Sequence, residues 1–118
     1  MNELVFHITA RDQWQRAQQA GLYYPESLDT DGFIHCSTAT QVIPVANFYY
    51  RGQVDLVLLG VDTARTGAEI RYEPGYDGDL YPHLYGALKV SAVCRVIDLE
   101  PDPSGNFALP EEMEPYAC

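Results

Sequence analysis

Apolar and polar positions alternate near the start of this chain and again past its middle, with one nearly unbroken apolar run between them. Leu4–Thr9 reads as a strand, with Leu4, Phe6 and Ile8 on one face and Val5, His7 and Thr9 on the other. The apolar triple is expected to face the core, and His7 solvent or a cleft. Thr9 suits the N-cap of a helix over 10–20, with Asp12 three residues on. Trp14, Ala17 and Ala20 form its narrow apolar stripe, a Gln-rich face meets water, and Gly21 ends it. Residues 22–28 read as loop, with Tyr24 held extended by Pro25.

The turn signal Asp29–Gly32 leads into a strand over 33–38. Extension places Phe33, His35 and Ser37 on one face and Ile34, Cys36 and Thr38 on the other. Thr38 and Gln41 have capping-box spacing, and Val42, Val45, Ala46 and Tyr49 continue at helical spacing toward Gly52. Pro44 lacks a donor, so this helix either begins near Pro44 or has a distorted first turn. The run 54–62 is the most apolar and β-branched, and is expected to be the buried central strand. Over 68–73, Ile70 and Tyr72 alternate with Glu69, Arg71 and Glu73. Residues 74–79 are a loop, and His83 falls between Tyr81 and Tyr85 in a turn bounded by Pro82 and Gly86. A last strand covers 90–99. The pattern, about five strands and two helices without regular β-α-β alternation, predicts an α+β fold. It forms a single domain over residues 1–110, followed by an acidic C-terminal tail over 111–118. Phe107 and Leu109 are the candidate anchors of the segment leading to that tail.

Composition narrows the function. The 118 residues are 47% hydrophobic, enough for a core. Seventeen acidic residues against seven Lys and Arg give a formal charge of -10. That balance disfavours non-specific nucleic-acid binding, which needs a basic surface, and an acidic membrane surface would repel it. No apolar run is long enough to span a bilayer and no signal peptide is read at the N-terminus. Three cysteines without a CxxC argue against a disulfide framework, and free thiols fit a reducing cytosol, so a cytoplasmic location is expected.

The candidate chemistry lies in His7, His35 and His83, with Ser37, Arg71 and Glu73 on polar strand faces. Arg71 can grip a phosphate bidentately, and Glu73 can support positive charge at an anomeric carbon. Tyr23, Tyr24, Tyr49, Tyr50, Tyr81 and Tyr85 can stack on a ring, although Tyr49 and Tyr72 also suit a core and Arg71–Glu73 a surface pair. Thr38 and Gln41 sit where a helix N-terminus could take an anion or ribose. A zinc site from the histidines and Glu73 lacks any local ligand spacing, so no metal is expected. Cys36 faces the core side, where a thiol is inert.

Together, the segments Phe6–Thr9, Gly32–Thr38 with Gln41, Arg71–Glu73 and Pro82–Gly86 resemble the bacterial family called domain of unknown function 952, over the chain up to about Pro110. By fold that family is placed with ADP-ribosyltransferase-like proteins. The resemblance implies a split, mainly antiparallel β core around an NAD-type cleft, with NAD as a substrate rather than a resident cofactor. It implies that His7 holds the adenosine side, that His35 and Ser37 lie beside the second ribose, and that Glu73 stabilises the anomeric centre. His83 has no counterpart in that scheme and is assigned as acid/base or ligand clamp. The expected site is thus Glu73, His83 and His35 for catalysis, with His7, Ser37, Thr38, Gln41, Arg71 and Tyr85 for binding a small nucleotide-type ligand. The implied activity is ADP-ribosyl or related transfer; the alternative is a binding module without turnover.

Overall fold

The computed structural model describes residues 3–111. Its elements run β1 (Leu4–Ala10), α1 (Arg11–Ala20), β2 (Leu22–Tyr23), α2 (Ser27–Thr30), β3 (Ile34–His35), α3 (Val42–Tyr49), β4 (Leu56–Asp62), β5 (Glu69–Pro74), β6 (Leu80–Tyr85), β7 (Leu88–Lys89) and β8 (Val93–Leu99). Single 3-10 turns occupy Thr63–Arg65 and Val90–Ala92. The strands form sheets ordered β1-β4-β8 and β3-β6-β5 and a small β2-β7 pair, all antiparallel. The fold is α+β, as the element order predicts; β3 falls within the strand expected over 33–38, whereas the two-residue strands β2 and β7 carry too little pattern to be read from sequence.

The apolar run becomes β4, the centre of the first sheet, and all seven of its residues are buried. Val57, Leu59 and Val61 pack with Val5, Trp14, Ile34 and Leu84 between the two larger sheets. Leu56 and Leu58 pack on the opposite face with Phe6, Ile8, Val42, Ala46 and Phe107. Of the two surroundings expected for His7, solvent or a cleft, the structure has the cleft: α1 and the second sheet cover this face of β1, Val5, His7 and Thr9 are all buried, and His7 lines a cavity.

Trp14 and Ala17 anchor α1, whereas Ala20 is exposed. Gly21 adopts φ 78°, and its N–H donates to the Ala17 carbonyl, a left-handed stop that glycine adopts without strain. Thr9 does not cap this helix; Ala10 holds the cap position without a side-chain bond, and the Thr9 hydroxyl is used elsewhere. In α3, Pro44 falls in the first turn, where no intrahelical N–H is required. Gln41 Oε1 accepts from the Thr38 N–H at 3.0 Å just ahead of that turn.

The segment carrying His83 is a strand, not the expected turn. β6 is the middle of its sheet, and Pro82 is tolerated there because its carbonyl accepts from the Cys36 N–H just beyond the end of β3. A residue's N–H and C=O point to the same side of a strand, so the missing proline donor points where little ladder remains. Tyr49 and Tyr72 are exposed rather than core, on the outer side of α3 and on edge strand β5. The Tyr72 hydroxyl reaches Glu3 instead. Cys36 is free and buried, and burial pushes its thiol up to about 12. Cys94 is disulfide-bonded, correcting the reading of every cysteine as free: three cysteines leave one over but still allow one bridge. Cys118 and the tail from 112 lie outside the described residues. Among the described residues, no helix is long and apolar enough to cross a membrane.

After β8, the chain is held through Asn47. Its Oδ1 accepts from the Phe107 N–H at 2.7 Å and its Nδ2 donates to the Phe107 carbonyl at 3.1 Å, seating the buried Phe107 ring while Leu109 stays exposed. Replacing Asn47 by Ala removes both bonds, and the expected loss is about 1–3 kcal/mol of unfolding free energy. Denaturant titration with an unchanged m-value checks it.

Candidate functional site

The site begins at a seam between sheets. Phe6 and Ser37 exchange both main-chain bonds, N–H to carbonyl, at 2.7 and 2.8 Å, joining edge strand β1 to the chain just after β3. Their contact ends there, because the chain turns away at Thr38 toward α3. The Phe6 peptide groups point away from β4, so those of Ile8, two residues on, point the same way. Among the described residues no backbone partner takes them up. A cavity of about 800 Å³ opens along this unpaired stretch, with all three histidines in its lining.

His7, His35 and His83 therefore converge, from β1, β3 and β6. Alternation in the Gly32–Thr38 segment is also realised: Phe33, His35 and Ser37 all line the cavity. His35 and His83 are register partners, their rings edge to face at 5.5 Å. Phe33 stacks on His83 at 3.9 Å between ring centres.

Each histidine is held differently. His7 Nδ1 lies 2.6 Å from the His35 carbonyl and Nε2 lies 2.8 Å from the Tyr23 hydroxyl. A carbonyl only accepts, so Nδ1 carries a proton, while Nε2 faces the Tyr23 hydroxyl. The Tyr23 oxygen is 3.0 Å from Thr9 Oγ1, which is 3.0 Å from Gln13 Oε1. Burial is the largest influence on His7 and pushes its imidazole down to about 4, against the raising effect of the His35 carbonyl. His7 is thus a neutral brace across three strands, with both nitrogens occupied. His35 is exposed, and its Nε2 pairs with Asp31 Oδ2 at 2.8 Å.

His83 is only 6% exposed, and its Nδ1 donates to Glu73 Oε1 at 2.9 Å. The same oxygen accepts from the Tyr85 hydroxyl at 2.5 Å. These bonds, Tyr85 first and His83 second, hold the Glu73 carboxyl below its usual range. Glu73 stands behind His83 and outside the cavity lining, as does Tyr85. Arg71 is also outside it: its guanidinium lies 4.3 Å from the Tyr85 ring centre and pairs with Glu69 at 2.8 Å. Thr38 and Gln41 belong to the turn before α3, where Gln41 Nε2 donates to the Leu80 carbonyl, and neither lines the cavity. Ser37, a buried residue, does, and among the described residues its hydroxyl has no partner.

The lining holds no Lys or Arg. Its mouth is aromatic: Tyr49 of α3 and Tyr76 and Tyr81 of the β5–β6 hairpin contribute, with exposed Phe48 stacked on Tyr76 at 4.3 Å. Sequence reading overlooked Thr9, Gln13, Phe33 and Tyr76. Thr9 and Phe33 were accessible by period two, each two residues from a singled-out histidine; Gln13 and Tyr76 carry no local signal. Among the described residues no group of three or more His, Cys, Asp or Glu is arranged to hold a metal ion.

An α+β domain with a histidine-lined cleft at a split between antiparallel sheets is the class these features define. The chain belongs to the family described as protein of unknown function DUF952, whose model matches residues 8–96. It is similar to protein CC0527 from Caulobacter crescentus. The crystal structure of that protein is 35% identical, with a TM-score of 0.84 over 93% of this chain and 97% of the other. Its solution NMR structure gives a TM-score of 0.80 over 94% and 97%, at the same 35% identity. No curated protein matches the chain.

The His7 brace predicts a pH dependence. The unfolded chain takes up this proton below its ordinary value of 6.5, but the folded chain only near 4. Stability is therefore lost as pH falls through that window, by up to about 3 kcal/mol from this residue. Denaturation midpoints from pH 7 to pH 4 should fall less steeply in His7→Gln than in the wild type; parallel curves would remove His7 as the cause.

Proposed function

We propose that the cleft binds NAD or a related ADP-ribosyl-type ligand, ring and ribose inside, phosphates at the mouth. The observation that carries this reading is the unpaired Ile8 peptide in the wall of an aromatic, histidine-lined cavity. A primary carboxamide on a flat ring offers one donor and one acceptor side by side, the complement of an edge strand's free N–H and C=O. Phe33, Tyr49 and Tyr76 supply stacking faces, and His35 and Ser37 supply polar groups for ribose hydroxyls. The absence of Lys and Arg from the lining means that affinity comes from stacking and hydrogen bonding more than from phosphate charge. Transfer of the ADP-ribosyl group, with nicotinamide leaving, is the chemistry this ligand brings.

One placement favours the second reading, a binding module without turnover. Glu73, the carboxylate assigned to the anomeric centre, is engaged by His83 and Tyr85 outside the lining. Nicotinamide release from NAD separates the two.

Calorimetric titration with NAD and ADP-ribose tests the binding itself. Saturable binding is expected, weakened tenfold or more (on the order of 1.4 kcal/mol) in His35→Ala and only slightly reduced by added salt. Absence of binding by both ligands, or unchanged affinity in His35→Ala, counts against the site.

A further inference from the structure

We infer that His83 is the general base of this cleft and Glu73 its positioning residue, so that the acceptor is a water or hydroxyl held against His83 Nε2. The inference rests on the ligand reading above and deepens it by naming the nucleophile.

Two observations support it. First, geometry fixes the proton on Nδ1: a carboxylate oxygen only accepts, so the Glu73 contact at 2.9 Å needs an Nδ1–H, and a ring carrying one proton then has its lone pair on Nε2. Tyr85 donates to the same oxygen and holds the carboxylate in place, while Phe33 stacking fixes the ring plane. Second, Nε2 is open to the cavity. The ring is almost wholly buried, and among the described residues its hydrogen bond is through Nδ1 alone. Yet among the described residues no fully buried side-chain nitrogen or oxygen lacks a partner. Nε2 must therefore reach the cavity that His83 lines. A nearly buried imidazole, oriented from behind by a carboxylate and presenting one lone pair to a cavity, has the geometry of a base awaiting an O–H.

The step balances without another reagent. The nucleophile's O–H proton passes to His83 Nε2, and its oxygen bonds to the anomeric carbon. The bond from that carbon to the pyridinium nitrogen breaks, its electron pair stays on that nitrogen, and neutral nicotinamide leaves. The imidazolium then returns its proton to solvent. With water as nucleophile the product is ADP-ribose; with an alcohol it is the O-glycoside. Glu73 is thereby assigned away from the anomeric centre, and its placement outside the lining becomes part of the design.

The test uses the full chain with His83→Gln and Glu73→Gln. Nicotinamide release from NAD is measured beside ADP-ribose binding by calorimetry and long-range ¹H–¹⁵N spectra of the histidine rings. Release is expected to fall by about 10²–10⁴ in His83→Gln, with ADP-ribose affinity changed less than about threefold. Wild-type spectra should show His83 protonated at Nδ1. In Glu73→Gln they should lose that single tautomer, with kcat falling and KM nearly constant; a merely structural Glu73 would leave the tautomer unmoved. Wild-type binding without release overturns the base assignment and leaves the binding reading standing. Full release by a folded His83→Gln overturns the assignment alone. Failure of the wild type to bind either ligand overturns both. Should His83→Gln not fold, the wild-type spectrum decides: an Nε2–H tautomer ends the proposal.

Discussion

The two main-chain bonds between Phe6 and Ser37 set up nearly everything that matters in this molecule. They make one short splice between the sheets and no more. A longer pairing would close β1 into a continuous sheet with β3 and fill the cleft. Without the splice, β3 and β6 would lose their registration against β1, and the histidines would not share a wall. Burial on both faces of β1 and β4 makes the splice rigid, because the core packs on each side of it. His7 reinforces the same seam: its ring spans from β1 to the His35 carbonyl and to Tyr23.

Charge is distributed in a way that net charge does not convey. The chain carries a formal charge of -10, yet its histidines meet carboxylates only one at a time, His35 with Asp31 and His83 with Glu73. Each contact leaves the other ring nitrogen unclaimed, in contrast to His7, where both are used. Three copies of one side chain thus do three jobs: a neutral brace, an exposed rim group and a buried ring with one open nitrogen. The difference lies in burial and in what faces each nitrogen, not in the residue. Arg71, the one cation on the polar face of β5, is committed to Glu69 and the Tyr85 ring and stands outside the cavity, whose lining includes the carboxylate Glu26 beside aromatic, apolar and neutral polar groups.

Much of this was legible in the chain as written. Period two put Phe33, His35 and Ser37 on one face, and all three line the cavity. Apolar density marked β4, Gly21 marked the end of α1, and of the two arrangements Pro44 allows, a late start or a distorted first turn, α3 has the late start, at Val42. The errors share a cause. His83 was read as a turn residue because Pro82 and Gly86 flank it, yet the sheet tolerates that proline where β3 stops short. The second face of β1 carries the polar His7 and Thr9, and of the two surroundings this allows, solvent or a cleft, distant elements create the cleft and satisfy both residues. Tyr49 and Tyr72 have helical or alternating spacing that fits a core, but both are exposed, Tyr49 against Phe48 and Tyr76 at the cavity mouth and Tyr72 on an edge strand.

By itself, then, the sequence determined the α+β class, the central strand, the helix ends and the faces on which the polar residues lie, because these follow from local periodicity and backbone preferences. Only the tertiary structure decided that β1 is buried on both sides, that the three histidines meet at one seam, and that Glu73 stands behind His83 rather than in the cleft. Those outcomes depend on which strand edge is paired and where the pairing stops. That is settled by contacts between residues far apart in the chain, and no local pattern encodes it.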